Sequence, residues 1–304
     1  MKSKILGILI TLFFAGGYII LNYPVFGTLY NQVRGEKVLK SYDEAVQTID
    51  EGKRQKYLKE AQDYNKMLIE DNPQLSDAFS QEEKKADSAY NHVLNMEESG
   101  VMGALEIPKI SVYLPIYHGT SQEVLERGVG HLEGTSIPIG GKDTHAVLTG
   151  HRGLPSAELF SNLDQLERND KFYIHILGEI LAYKVFNVET VRPEETGHLA
   201  IAKGQDRVTL VTCTPYGINT HRLLVRGHCI GSGETQHIHV SSEAFQIDPT
   251  ITASIIGIVL LILLLVRVLI HTRRNGRGGR WSKRKQMLMH MKKEDILKDI
   301  KTNK

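Results

Sequence analysis

Two long apolar runs, one at each end of the chain, constrain it more than any other feature. ILGILITLFFAGGYIIL covers residues 5–21 and follows Lys2 and Lys4; ITASIIGIVLLILLLVRVLI covers residues 251–270, interrupted only by Arg267. An α-helix rises 1.5 Å per residue, so about 20 apolar residues cross the ~30 Å hydrocarbon core of a bilayer. The second run meets that length, with Arg267 close enough to its end to extend its charged head to the interface. The first run is slightly short, and a cleaved signal peptide is the competing reading. Its apolar stretch exceeds the usual signal-peptide core, however, and no clean small-x-small site follows before Asn22. We read it as an uncleaved anchor.

Charge sets the orientation. From Arg267 to Lys304 the chain carries 13 Lys/Arg against 3 Asp/Glu. Basic flanks stay in the cytoplasm, which assigns this tail, and equally Lys2 and Lys4, to the inner side. Subtracting the tail's surplus of ten and the two N-terminal lysines from a net charge of +2 leaves about −10 for the part outside. An acidic ectodomain argues against nucleic acid as a partner. The tail itself reads as a stop-transfer anchor that also meets anionic lipid.

Between the two runs the texture changes along the chain. Residues 29–70 carry helix-spaced apolar positions, Val38, Leu39, Tyr42, Val46 and Ile49, then Tyr57, Leu58, Ala61, Tyr64, Met67 and Leu68. They read as a helical pair leading from the membrane. Residues 71–100 are polar, aperiodic and rich in turn formers, the character of a mobile or functional segment. From Val101 onward come short strands punctuated by Gly and Pro: ALEIPKI, VYLPIYHG, HAVLTG, KFYIHI, ILAYKVFNVETV, RVTLVTC and RLLVRGHCI. Their frequency and alternation point to a small closed or nearly closed β-barrel rather than a parallel α/β sheet. KFYIHI and ILAYKV form a hairpin about Leu177-Gly178-Glu179. Residues 156–166, with Leu159, Phe160, Leu163 and Leu166 on one face, read as a helical insert. The expected division is an anchor at 1–22, a helical pair at 23–70, a lid-like segment at 71–100, a catalytic barrel at 101–232, a linker at 233–249, a second span at 250–270 and a basic tail at 271–304.

The chain has two cysteines, Cys213 and Cys229. Alternation in RVTLVTC puts Thr209, Val211 and Cys213 on one face, with Cys213 the last residue before a Thr-Pro-Tyr-Gly turn. A thiol at a strand end where a loop opens sits where reactive groups are usually found. An outside location permits a disulfide. If the next strand runs unbroken from Arg222, then Arg222 and Cys229 face opposite ways, and a Cys213 that shares a face with Arg222 leaves Cys229 as a packing residue. A nucleophilic thiol needs a base to take its proton. His151, behind Gly150 at the end of HAVLTG, is the candidate; His145, mid-strand and free to be exposed, and His221, beside Arg222, compete with it. Arg222 offers donors for a developing oxyanion, or else forms a surface ion pair.

TLVTC followed nine residues later by Arg, with TGH upstream, resembles the sortases, membrane-anchored cysteine transpeptidases of Gram-positive bacteria. The family pattern falls on Thr209, Leu210, Thr212, Cys213 and Arg222, and its histidine on His151, over a stretch of roughly 101–232. HGTSQEVLERGVGHLEGTSIPIGG, VLTGHRGLPSAELFSNLDQL and a second span are similar to the pilus-assembling class C. The resemblance implies a mainly β fold, a closed barrel of about eight strands with short helices. It also implies an N-terminal lid, whose Asp-Pro-aromatic motif has its nearest match in Asp77-Ala78-Phe79, with alanine where the family has proline. The implied chemistry is a two-step acyl transfer. Cys213 attacks the Thr–Gly bond of a Leu-Pro-x-Thr-Gly signal, His151 acts as general acid/base, Arg222 clamps the oxyanion or substrate, and a pilin lysine releases the acyl group. The reaction implies no cofactor and no metal. An anchoring sortase that passes its acyl group to a cell-wall peptide amine fits the same triad. A papain-like peptidase fits less well, because its nucleophile precedes its histidine. A sorted surface protein is disfavoured, since FQIDPTITA before the second run carries no sorting signal.

Overall fold

The computed structural model describes residues 2–71, 73–80, 89–96, 100–155, 157–232, 252–267, 270 and 287–291. The expected linker at 233–249 lies outside the described residues, as does most of the basic tail. The chain divides into two compact units, one of residues 26–245 and the other of the two chain ends.

In the unit of the chain ends, helix α1 (Lys2–Thr48) begins and a second apolar helix spans Thr252–Arg267. Tyr18 Oη donates to Ser254 O at 2.5 Å. Among the described residues one helix is long and apolar enough to cross a membrane, the N-terminal one; Thr252–Arg267 is apolar but shorter. α1 does not break near residue 22 but runs on through Pro24. Proline there removes the amide that would bond Ile20 O, a loss one helix turn can absorb.

The larger unit is a closed barrel in the order β1-β2-β3-β4-β7-β8-β6-β5. Its strands are β1 (Val101–Ile107), β2 (Val112–His118), β3 (Val129–His131), β4 (Thr144–Thr149), β5 (Lys171–Ile176), β6 (Glu179–Val191), β7 (Asp206–Thr214) and β8 (His221–Ser232). Pairing is antiparallel except for β2 with β3 and β4 with β7, which are parallel. Seven of these strands lie in the alternating runs. β3 has only three residues, too few to show a period.

Alternation sends one face of each strand inward. Val208 and Leu210, Leu223 and Val225, Phe172 and Ile174, and Tyr183 and Val185 join one buried cluster. Phe172 stacks on Tyr183 at 5.5 Å between centroids. Gly227 faces the Phe172 ring, because an added Cβ would stand 2.6 Å from it and 3.2 Å from Tyr183 Cβ. Phe160, Leu163 and Leu166 reach the same cluster, but not from a helix. Residues 157–166 form turns and a single 3-10 turn at Leu163–Gln165, with Leu159 at φ +36. Burying three apolar side chains against the barrel outweighs the weak helical preference of a short polar segment.

Helices α1 and α2 (Glu51–Asp71) are fastened to the barrel by polar side chains at buried points. Leu177 and Gly178 both take positive φ in the β5–β6 hairpin turn. This leaves the Leu177 amide free to donate to Tyr42 Oη at 3.0 Å, while Tyr42 donates to Met102 O at 3.1 Å. From α2, the Asn65 amide pairs with both backbone groups of Ile137, at 2.7 and 3.1 Å. The chain therefore leaves α2 at a fixed place, and residues 73–80 cross the outer face of the barrel from there.

Candidate active site

The face opposite the core carries Cys213. In the β7–β8 ladder Cys213 pairs directly with Arg222, and the register runs without a break from there to Arg207 opposite His228. The thiol and the guanidinium therefore stand side by side on the outer face. Both cysteines are free; Cys229 packs against the inner cluster. β4 runs parallel to β7 with Thr149 beside Val211, and Gly150 N donates to Val211 O at 3.1 Å. His151 follows Gly150 in the loop past the end of β4, next to the end of β7 that carries Cys213.

Residues 73–80 lie over this site. Asp77 receives two hydrogen bonds from Arg222, Nε to Oδ1 at 2.8 Å and Nη2 to Oδ2 at 2.7 Å. The Phe79 ring lies 5.0 Å from the Arg222 guanidinium and 5.6 Å from the His151 ring. Ala78 is buried among Leu132, Val147, Val191, Leu199, Val211 and Leu224, with Leu75 at the edge of that group. Thr196 Oγ1, from the β6–β7 connection, donates to Leu75 O at 3.1 Å. Alanine in place of proline thus stands in close apolar contact, and the bidentate ion pair fixes the backbone around it. A small pocket bordered by Asp77, Ala78, Val191, Pro193, Leu199 and Arg222 adjoins the segment.

The electrostatics belong to a covered site. Burial pushes the Cys213 thiol up; Arg222 pulls it down, and the Asp77 carboxylate pushes it up again. Burial lowers His151, against a smaller opposing effect of Glu126. Its Nε2 is buried without a hydrogen-bond partner. Arg222 is raised, chiefly by its hydrogen bonds to Asp77. With the segment in place, thiol and imidazole are both held neutral and Arg222 is occupied. The Asp77 carboxylate thus offsets part of the pull that Arg222 exerts on the thiol.

The competing histidines are engaged elsewhere. His145 is not exposed, as its mid-strand position suggests, but fully buried: Nε2 meets Thr209 Oγ1 at 2.7 Å and Nδ1 meets Ala200 O at 2.9 Å. The β6–β7 connection covers that strand position, which alternation alone cannot show. His221 lies opposite Thr214, its Nδ1 2.9 Å from Thr220 Oγ1. Sequence reasoning missed Arg152, next to His151 and tied to Thr214, next to Cys213. The signal was present in the HRG that follows TG. Among the described residues no group of three His, Cys, Asp or Glu side chains is arranged to hold a metal ion.

Known proteins resemble this arrangement. Residues 105–230 match the sortase domain model. Sortase A of Bacillus anthracis is 26% identical over 231 residues, 76% of this chain and 97% of that protein. Among solved structures, sortase C1 of GBS pilus island 1 is 42% identical, with a TM-score of 0.61 over 67% of this chain and 95% of that one. The Streptococcus pneumoniae sortase C, described with its pilin substrate specificity, is also 42% identical, with a TM-score of 0.61 over 65% and 98%. Sortase C-1 of Actinomyces oris is 46% identical, with a TM-score of 0.56 over 59% and 99%.

Proposed function

This chain belongs to the sortase family, and on that footing we propose that it is a class C cysteine transpeptidase that joins pilin subunits at the membrane. The observation that carries the chemistry is the direct pairing of Cys213 with Arg222, with one aromatic ring, Phe79, spanning that guanidinium and the His151 imidazole, which follows the end of β4.

Catalysis begins when residues 73–80 leave and Asp77 releases Arg222. His151 takes the Cys213 proton as Sγ attacks the threonine carbonyl of an LPxTG-type sorting signal. The oxyanion that forms meets the Arg222 guanidinium, whose fork suits a charge developing on oxygen. His151 then gives the proton to the glycine amine, the peptide bond breaks, and a thioester remains on Cys213. A lysine amine of the next subunit attacks that thioester and loses its proton to His151. An isopeptide bond results, and the free thiol is restored.

Asp77 and Phe79 serve as the lid. Two spans, with both termini inside and the barrel outside, are supported by the apolar N-terminal helix, the shorter apolar helix Thr252–Arg267 and the basic residues beyond it. The test is co-expression with a pilin bearing an LPxTG-type signal. Cys213→Ala is expected to abolish the high-molecular-weight pilin ladder while the protein stays folded and in the membrane. An undiminished ladder sinks the reading.

A further inference from the structure

The end of β7, which carries the thiol, and the loop after β4, which carries the imidazole, are tied together on both sides of Cys213 and His151. Thr212 Oγ1 donates to Gly150 O at 2.7 Å, joining the residue before Cys213 to the residue before His151. Arg152 Nη1 donates to Thr214 Oγ1 at 3.3 Å, joining the residues that follow each. The Arg152 side chain is only 10% exposed, and Nη2 donates to Asp164 Oδ2 at 2.5 Å. Its guanidinium lies 5.9 Å from the Tyr216 ring centroid. Tyr216 lies on Gly153, at φ +77, where an added Cβ would come within 2.9 Å of the ring. The ring is nonetheless 62% exposed, so deep burial is not what places it.

We propose that Arg152 is a positioning residue for the acyl transfer. With Asp164 and Tyr216 it clamps the loop after β7 to the loop after β4, and so sets the Cys213–His151 separation. The inference rests on the reading of those two residues as nucleophile and acid/base. Both stand past the last ladder pair of β4 and β7, Thr149 with Val211, where backbone pairing no longer fixes their distance. A misplacement of about 1 Å between reacting groups can cost on the order of 100-fold in rate. A guanidinium can reach carboxylate, hydroxyl and ring together because it is planar and has several donors; an ammonium cannot.

The full-length chain in detergent, given an LPxTG-type peptide, provides the test. Arg152→Ala is expected to lower kcat for acylation about tenfold or more and leave KM within about twofold, as for a loss confined to the transition state. The pH profile of kcat/KM should narrow, because separating thiol and imidazole removes the attraction between their charged forms that spreads the pair's two apparent pKa values. Arg152→Lys should recover part of the loss. In a Thr214→Val background, Arg152→Ala should cost much less than in wild type. Asp164→Asn, at a half-exposed carboxylate, should show the same kcat loss in smaller measure, and it carries the test if Arg152→Ala does not fold. A raised KM at unchanged kcat would place Arg152 on the peptide instead. That result, wild-type kinetics or fully additive losses overturns the clamp. A wild-type chain that forms no thioacyl adduct overturns the underlying reading instead.

Discussion

The barrel's inner cluster and the smaller cluster on its outer face are built from the same strands but closed in different ways. Inside, Phe172, Tyr183, Leu210 and Val225 are enclosed by strands that pair all the way round. Outside, Val147, Val191, Val211 and Leu224 are completed by Ala78, Leu75 and Phe79, from a segment that belongs to no strand. One cluster cannot open without unfolding the barrel, whereas the other needs only its cover to move. Cys213, the proposed nucleophile, lies beside the second. A face apolar enough to seat an extended peptide, covered by the chain's own segment, suits the proposed action on a sorting signal.

This contrast can be broken or sharpened by four perturbations. The largest effect is expected from Phe172→Ala, which removes a fully buried ring and its stacking partner's contact. It should lower the stability measured in urea by about 3–5 kcal/mol. Val147→Ala, equally buried but in the outer cluster, should cost about 2 kcal/mol, and less if the cover settles into the space. Equal losses at the two sites would erase the distinction.

Acid tests both regions together. Burial lowers His131 and His145 to about 4. An unfolded histidine takes its proton near pH 6.5, so between there and about 4 the unfolded chain binds more protons. Stability is therefore complete above about 6.5 and falls as pH drops through that window. Tm should fall by about 5 °C or more between pH 7 and 4.5, and a flat profile would show that these rings are not held neutral.

The smallest effect on stability is expected from Asp77→Ala or Phe79→Ala, on the order of 1 kcal/mol, because the cover can move aside and return the Arg222 guanidinium to water. Their effect on the thiol should be plain. Without Asp77, Arg222 acts on Cys213 unopposed, so alkylation should speed up several-fold and its pH midpoint should move down. Unchanged labelling would mean that the segment does not guard the thiol.

The strands were legible because alternation over six or more residues is hard to mistake, and β7 in particular showed Cys213 facing away from Leu210. Other features depended on what packs against them. Residues 156–166 carry a helical pattern of leucines, yet three of their apolar side chains are buried from turns instead. His145 looked free because nothing in its strand announces the connection at 192–205 that covers it. Asp77-Ala78-Phe79 was legible only by resemblance, since its partner Arg222 is 145 residues away. Arg152 passed unnoticed because an arginine beside a histidine carries no period, and its meaning lies in Thr214 and Asp164.

The most direct test is made on the intact protein. The full-length chain, incubated with an LPxTG-type peptide and a lysine-bearing amine, is followed by mass spectrometry. The account predicts an acyl adduct on Cys213, absent in Cys213→Ala, that is discharged onto the amine as a new amide. An adduct on another residue, or peptide cleavage in the wild type that survives Cys213→Ala, would contradict it.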